Sequence, residues 1–311
     1  DILNEAVEIV KKDRGIDPRK LANREKAGLI DALRAKYPLN ELLAMMDMSK
    51  SSYFYQREAQ RRPDKYTALR AEMKRVFAES KNRYGYRRIH AVIKDKGIVI
   101  SEKVIRRIME EEQLVVPYKK KRGYSSYKGE ITPAVDNLVA RDFHAAKPNE
   151  KWLTDLTEFH IPAGKVYLSP MIDCFDGMAV SWTIGTSPDA ELVNTMLDDA
   201  MGSLQHGERP IVHTDRGCHY RWPGWISRME HAGLIRSMSK KGCSPDNSAC
   251  EGFFGRIKNE MFYYRSWEGV PIAQFVDELD SYLRWYNEER IKMSLGAMSP
   301  KAYRQSIGLT A

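Results

Sequence analysis

Three acidic residues occur at intervals that suit the chemistry of phosphodiester bonds. They are Asp155 in the segment KWLTDLTEF, Asp215 in IVHTDRG and Glu251 in SPDNSACEGFFGRIKNE. Cleavage or transfer of a phosphodiester by two divalent ions needs carboxylates that converge on ions about 3.5–4 Å apart. Mg²⁺ takes oxygen ligands, so Asp and Glu suffice and neither Cys nor His is required. These residue types are therefore candidates to hold two Mg²⁺ ions.

Each of the three acids also has a purely structural interpretation. Asp155 could be a strand acid paired with a lysine, and Asp215 could be a turn residue before a glycine. Glu251 could close the start of a helix, because Ser248-x-x-Glu251 has the spacing of a capping box. Other acids near the same predicted strands compete for a metal role: Glu158, Asp173 and Asp176. Spacing alone does not decide between these alternatives.

The acids lie where strand and helix patterns alternate along the chain. The predicted strands are 151–159, 165–172, 178–183, 210–214 and 235–238, and the predicted helices are 188–204, 223–232, 247–262 and 272–288. Three hairpin-connected strands followed by alternating helices and strands predict an α/β fold of the RNase H type. Asp155 falls in the middle of the first predicted strand, where a buried carboxylate is costly without a partner or a metal.

The front of the chain has a different composition. Residues 1–130 hold 31 Lys and Arg against 19 Asp and Glu, a balance of +12, whereas residues 131–311 hold 19 against 23, a balance of −4. All six Trp lie between Trp152 and Trp285. We therefore expect two differently built folding units. The basic front favours a nucleic-acid partner, with a solvated basic surface as the alternative.

Residues 24–57 predict three short helices in a helix-turn-helix arrangement. Ser49 has the position of a cap for the third helix. The third predicted helix is the second helix of the helix-turn-helix motif itself, the one that offers side chains to base edges or phosphates. The predicted DNA contacts on it are Lys50, Ser51, Ser52 and Gln56.

Residues 84–116 predict a second unit of this kind. The segment YGYRR leads into a helix that ends at Gly97, and Ser101 has the position of a cap for the next helix. Basic side chains on these helices are predicted to contact DNA: Arg87, Arg88, Arg106 and Arg107. A small helical bundle that binds protein, or nothing, is the alternative for both units.

The remaining segments complete a multidomain prediction. We expect a helical or coiled-coil tail at 1–22, helix-turn-helix units at 23–62 and 63–116, a basic linker at 117–145 and the catalytic core with its C-terminal helix at 146–311. Leu3, Ala6 and Val10 have heptad spacing, which fits either the end of a longer zipper or an ordinary amphipathic helix. The linker carries a basic run that either tracks phosphates or is simply solvated: Lys119, Lys120, Lys121 and Arg122.

Several protein classes are disfavoured by composition. No run of about 18 apolar residues occurs, so no membrane span is expected. The start of the chain has no apolar segment typical of a signal peptide. The four cysteines include no CxxC pair, which disfavours disulfides. A zinc site from His213, Cys218 and His219 fits no common spacing.

The chain resembles the transposases of insertion-sequence family three, in the retroviral-integrase superfamily. The resemblance rests on five motifs in order, each weak alone: YGYRRIHAVI, KPNEKWLTDLTEF, IVHTDRGCHY, SMSKKGCSPDNSACEGFFGRIKNE and YNEERIKMSLGAMSPKAY. Thirty-five residues separate Asp215 from Glu251, the interval of this family's DD(35)E signature, and fifty-nine separate Asp155 from Asp215. The zinc-binding front domain of retroviral integrases has no counterpart here, and helix-turn-helix units take its place.

The resemblance implies roles for particular residues. Asp155, Asp215 and Glu251 would form the catalytic, metal-binding triad for two Mg²⁺ ions, with Mn²⁺ able to substitute. Lys258, two helical turns after Glu251, would contact a DNA phosphate, and Asn247, one turn before it, would contact DNA or a metal-bound water. The C-terminal motif residues Tyr286, Asn287 and Arg290 would serve either packing or DNA contact.

It also implies an activity and partners. A family member would bind double-stranded DNA at the terminal inverted repeats, cut a strand to expose a 3′-OH, and join that 3′-OH to another phosphodiester by direct transesterification. It would act in the bacterial cytoplasm at the nucleoid as a homodimer or higher homo-oligomer. The alternatives are a plain RNase H-like nuclease, which cuts without joining, and a DNA-binding regulator built on an inactive core.

Overall fold

The computed structural model describes residues 18–62, 64–118, 135–240 and 244–309. The chain divides into two compact units, Asp1–Glu72 and Met73–Ala311. This division does not coincide with the predicted boundaries at 62/63 and 145/146. The heptad positions 3, 6 and 10 and the basic run 119–122 lie outside the described residues.

The first unit contains the three helices that the sequence predicts. They are α1 (Asn23–Leu33), α2 (Leu39–Met45) and α3 (Lys50–Arg61). Their apolar faces bury a common core that includes Ile30, Leu42 and Tyr53. The Ser49 hydroxyl accepts a hydrogen bond from the Ser52 amide at 3.1 Å, which confirms the predicted cap of α3.

In the described part of the chain, three more helices precede the sheet: α4 (Thr67–Glu79), α5 (Tyr86–Asp95) and α6 (Glu102–Glu111). The last two match the predicted second helical pair, and they bury Ile89, Ile93, Ile105 and Ile108. The sequence analysis did not identify α4. Ser101 occupies the cap position of α6, but its side chain accepts no capping hydrogen bond, contrary to the prediction.

A mixed sheet follows, with six strands in the described part of the chain. They are β1 (Lys151–Thr154), β2 (Thr157–Ile161), β3 (Gly164–Asp173), β4 (Ala179–Gly185), β5 (Ile211–Thr214) and β6 (Ile235–Met238). Strands β2, β3 and β4 form antiparallel hairpins, and β1 also pairs antiparallel with β3. Strand β5 pairs in parallel with both β1 and β6. This is the order predicted for an RNase H-like core.

The first predicted strand is interrupted at Asp155. Thr154 pairs with Met171 and Thr157 pairs with Leu168, so the register with β3 is the same before and after the interruption. Both segments lie along one edge of β3, because β4 occupies its other edge. Asp155 therefore follows the end of β1, and the prediction that it lies mid-strand is wrong.

Helices cover both faces of the sheet. Helices α7 (Ala190–Gly202) and α8 (Pro223–His231) bury one face, in a cluster that includes Trp152. Helices α9 (Ser248–Ile257) and α10 (Ile272–Glu288) bury the other, in a cluster that includes Phe159. A short helix, α11 (Pro300–Ser306), follows and was not predicted. Among the described residues, no helix combines the length and the apolar character needed to cross a membrane.

Candidate active site

Two of the three predicted acids lie side by side, just beyond the carboxyl ends of two neighbouring parallel strands. Strands β1 and β5 are parallel neighbours, and Leu153 of β1 pairs with His213 of β5. The same register, extended by two residues, brings Asp155 beside Asp215. Both acids follow directly after a strand that ends in threonine.

The two carboxylates are held by backbone amides and are half-buried. The Leu156 amide donates to Oδ1 of Asp155 at 2.7 Å, and the Gly217 amide donates to Oδ1 of Asp215 at 2.8 Å. Burial raises the pKa of Asp155 to about 7, and the negative charges of Asp215 and Glu251 contribute. Burial also raises the pKa of Asp215. This pair of acids therefore favours a bound proton or a cation.

Glu251 lies in the first turn of α9, which packs on the sheet through buried residues such as Cys250 and Phe253. The cap position of this helix is Asn247, and Ser248 is already helical. The capping box suggested by Ser248 and Glu251 is therefore absent, which removes the structural interpretation of Glu251 as a cap. Within the described residues, no three His, Cys, Asp or Glu side chains are grouped closely enough to hold one metal ion. The acidic triad is thus not drawn together as one ligand set.

Asn247 contacts the acid pair directly. Its Nδ2 group donates to Oδ2 of Asp155 at 3.2 Å, and the residue is only 4% exposed. Its Oδ1 atom is buried and has no hydrogen-bond partner in the described part of the chain. The predicted contact of Asn247 with DNA or with a metal-bound water stays a prediction.

Lys258 lies where α9 changes into a π-helical turn, Lys258–Phe262. The helix is α-helical from Glu251 to Ile257, so Lys258 follows Glu251 by about 10 Å along the axis, as predicted. Its Nζ atom lies 5.4 Å from the centroid of the Phe159 ring. Burial lowers the pKa of Lys258. Its predicted contact with a DNA phosphate stays a prediction.

The competing acids are engaged in ion pairs. Arg304 of α11 binds Asp173 at 2.8 Å and Asp176 at 2.6 Å, and all three side chains are buried. Glu158 pairs with an exposed lysine at 3.0 Å. By contrast, the two acids at the strand ends take part in no ion pair within the described residues.

The zinc alternative fails on hydrogen bonding. The buried ring of His213 lies 2.8 Å from the Ser237 hydroxyl at Nδ1 and 3.0 Å from the Asp246 carbonyl at Nε2. Nε2 of His219 lies 2.9 Å from the Pro188 carbonyl. Both histidines therefore use ring nitrogens in protein hydrogen bonds, and these residues form no metal cluster in the part of the chain that is described.

Asp246 is a buried acid that the sequence analysis did not single out. Its carboxylate accepts from Arg141 Nε at 2.7 Å, from Asn137 Nδ2 at 3.0 Å and from the Lys240 amide at 3.0 Å. These bonds fix the chain immediately before Asn247. The only sequence signal for this role is the position of Asp246 next to that residue.

The predicted DNA contacts of α3 are only partly free for that role. Lys50 and Ser51 are exposed, and Gln56 is half-buried. The hydroxyls of Ser51 and Ser52 lie 3.0 and 2.9 Å from that of Ser49 at the helix cap. The DNA contacts predicted for this helix stay predictions.

The basic residues of α5 and α6 fall into two groups. Arg87, Arg106 and Arg107 are exposed, and the latter two lie 3.2 and 3.5 Å from glutamates four residues later. Such surface pairs are weak and do not prevent DNA binding. Arg88 is half-buried, and its guanidinium lies 3.9 Å from Glu260. Its environment is that of a packing contact.

The C-terminal motif also serves packing. Asn287 exchanges two hydrogen bonds with the backbone of Ala179, at 3.0 and 2.8 Å, and the Tyr286 hydroxyl donates to the Gly177 carbonyl at 3.0 Å. Of the two roles expected for this motif, the contacts bear out packing.

The acid pair fits a hard divalent cation in type and charge. Its donors are carboxylate oxygens, which Mg²⁺ prefers, and both half-buried acids lack an ion pair within the described residues. A cation there would relieve the repulsion that raises the pKa of Asp155. Asp155 and Asp215 are thus the residues best placed to hold a metal. Glu251 is the third acid of the predicted triad.

Family models match most of the chain. The model of an integrase core domain matches residues 145–244, and a second integrase core model matches residues 251–307. The model of an HTH-like domain matches residues 64–122.

Curated relatives are transposases. The chain is 57% identical over 308 residues to a probable transposase for insertion sequence element IS1353 from Shigella flexneri, covering 99% of this chain and 60% of that protein. It is 37% identical over 276 residues to the putative transposase InsK for IS150 from Escherichia coli K12, covering 89% and 96%. It is 29% identical over 233 residues to transposase InsF for IS3A from the same bacterium, covering 73% and 79%. The chain belongs to the insertion-sequence transposases of family three, with an HTH-like region in front of an integrase core.

Proposed function

We propose that this chain cuts DNA at the ends of its element and joins the resulting 3′-OH to another phosphodiester. The observation that carries the proposal is the half-buried acid pair at the ends of β1 and β5, which takes part in no ion pair within the described residues. Neither acid takes part in an ion pair within the described residues, and the charge of Asp215 adds to the raised pKa that burial gives Asp155. A function that needs two neighbouring carboxylates, such as the binding of a divalent cation, explains why both acids are present.

Two Mg²⁺ ions are the proposed cofactor, held by Asp155, Asp215 and Glu251. When bound, they would polarise the scissile phosphate, activate the attacking water or 3′-OH and stabilise the leaving oxygen. Asp155 must lose its proton first, because a protonated carboxyl is a poor ligand. Asn247 holds the Asp155 carboxylate in place, and Lys258 is proposed to bind a phosphate of the DNA.

Double-stranded DNA is the proposed partner of the helices in front of the core. The exposed cationic side chains there suit a polyanion: Lys50, Arg87, Arg106 and Arg107. Contacts from α3 to base edges would recognise the terminal repeat, and the others would bind phosphates of any sequence.

An assay of strand transfer tests the proposal. The full chain is incubated with a labelled, pre-cut terminal-repeat duplex, a target plasmid and Mg²⁺. We expect joined product to persist in Asp198→Asn and to disappear in Asp155→Asn. Asp198 is a surface acid paired with Arg228. Cutting without joining would favour the plain nuclease, and end binding without either reaction would favour the regulator on an inactive core.

The proposed working unit is an oligomer that bridges two DNA ends. Both ends of one element must be joined, and each chain carries one acid triad. Two protomers in a symmetric assembly are the simplest arrangement that provides one active site for each end.

A further inference from the structure

Glu260 is a half-buried acid on the π-helical turn that continues the catalytic helix α9. Arg290 binds its carboxylate through two nitrogens, at 2.8 and 2.5 Å, and the Tyr282 hydroxyl donates to it at 2.8 Å. Arg290 is only 2% exposed. The carboxylate of Glu260 therefore fixes the end of α9 to α10 and to the segment that follows α10.

The helical pair α5 and α6 is attached at the same place. Nε of Arg83, just before α5, donates to the Glu260 carbonyl at 2.9 Å. The Arg83 guanidinium also lies over the Trp285 ring, 4.6 Å from its centroid. The Tyr84 hydroxyl accepts from the Ile291 amide at 3.2 Å. Arg83 and Tyr84 thus connect the start of α5 to the π-helical turn after α9, to α10 and to the segment that follows α10.

Electrostatics make Glu260 the shared counter-ion of this cluster. The guanidinium groups of Arg88 and Arg290 lie 3.9 and 2.5 Å from the Glu260 carboxylate, and that of Arg83 binds the Glu260 carbonyl. Burial opposes ionisation of Glu260, but the hydrogen bonds and charge of Arg290 lower its pKa on balance. Burial lowers the pKa of Arg83 and of Arg88. Without the carboxylate, like charges would face one another in a desolvated space.

We propose that Glu260 is a positioning residue through which the HTH-like region holds Glu251 and Lys258 in their working positions. This inference rests on the proposed function. Nine residues of continuous helix, about 13 Å, connect Glu251 to Glu260, so a shift at one end is transmitted to the other. Glu251 must approach the pair formed by Asp155 and Asp215 from a separate element, and the end of its helix is set by this cluster.

The substitution Glu260→Gln tests the proposal in the full chain. It preserves size and one oxygen acceptor for Arg290 but removes the shared negative charge. We expect the rate of strand transfer to fall about 10²-fold, the effect of a displacement of about 1 Å at a reacting centre. The Mg²⁺ concentration for half-maximal rate should rise, while binding of the terminal repeat is unchanged. Glu288→Gln, which breaks an exposed pair with Lys301, is the matched control and should leave both values unchanged.

A purely structural role would give a different result. It would lower the melting temperature and the folded fraction of Glu260→Gln, while the rate per folded protein and the Mg²⁺ requirement stayed normal, and that result would overturn the proposal. If Glu260→Gln does not fold, Arg83→Gln provides the test, because it removes the bond to the Glu260 carbonyl and preserves the pair of Glu260 with Arg290. A raised Mg²⁺ requirement with normal end binding supports positioning, and an unchanged requirement refutes it.

The proposed function is tested separately by the wild-type protein. If the wild type joins no DNA ends, the transfer activity itself is refuted, whatever the variants do. If the wild type is active and Glu260→Gln has the same rate and Mg²⁺ dependence, only the positioning role is refuted.

Discussion

Neutralising Asp155 should stabilise the metal-free protein at alkaline pH. Its pKa is raised from the ordinary value of 3.8 to about 7 in the folded state. Between these two values the folded chain keeps a proton that the unfolded chain releases, so wild-type stability falls as pH rises through this window. The difference between the two pKa values corresponds to a loss of about 4 kcal/mol of folding stability above pH 7, at about 1.4 kcal/mol per pKa unit.

Part of this gain is offset in Asp155→Asn. The Nδ2 group of Asn247 donates to the carboxylate at 3.2 Å, and an amide in its place can present a second donor to that group. The loss of this hydrogen bond costs about 1 kcal/mol. A net stabilisation of about 3 kcal/mol remains, or about 6–12 °C in melting temperature for a unit of this size.

Thermal melting monitored by circular dichroism in EDTA provides the measurement. The stabilisation should be present at pH 8 and absent at pH 4, and Mg²⁺ should raise the melting temperature of the wild type more than that of Asp155→Asn. The control Asp198→Asn should not be stabilised, because surface ion pairs contribute about 0–1 kcal/mol. Equal melting temperatures of Asp155→Asn and wild type at pH 8 would refute the reasoning.

Four further predictions concern activity and binding. Glu251→Gln should abolish cleavage and joining without loss of end binding or helix content, because Asn247 occupies the cap position; near-normal activity on labelled ends would contradict this. Activity should require Mg²⁺ or Mn²⁺ and disappear in EDTA, and zinc-specific activity would count against it. In fluorescence anisotropy, Gln56→Ala should reduce the preference for the terminal repeat over random DNA. Arg106→Ala should weaken binding to all sequences alike and flatten the dependence of the binding constant on salt by about 1. If Gln56→Ala loses equal affinity for specific and random DNA, α3 is misassigned. Asp215→Asn protomers mixed with protomers impaired in end binding should recover cleavage if catalysis occurs in trans, and no recovery in any mixture would exclude it.

Local sequence patterns predicted the elements more reliably than their contacts. The bounds of β6 (Ile235–Met238) and α10 (Ile272–Glu288) agree with the prediction, because apolar periodicity and β-branched residues act over short distances. The strand break at Asp155 was missed, because the apolar residues on both sides suit a strand equally well. At the break, the Leu156 amide donates to the acid itself, a local bond that periodicity does not encode.

The sequence by itself determined the acidic residues, the basic front and the family, since each depends on residue type and spacing. Tertiary structure decided which acids share a site. Asp173 and Asp176 were as plausible as Asp155 until Arg304 was brought to them from more than 100 residues away. Asp155 and Asp215 became neighbours only through the parallel pairing of β1 with β5. Burial and pairing between distant segments set the charge state of a carboxylate, and neither can be read from its sequence neighbours.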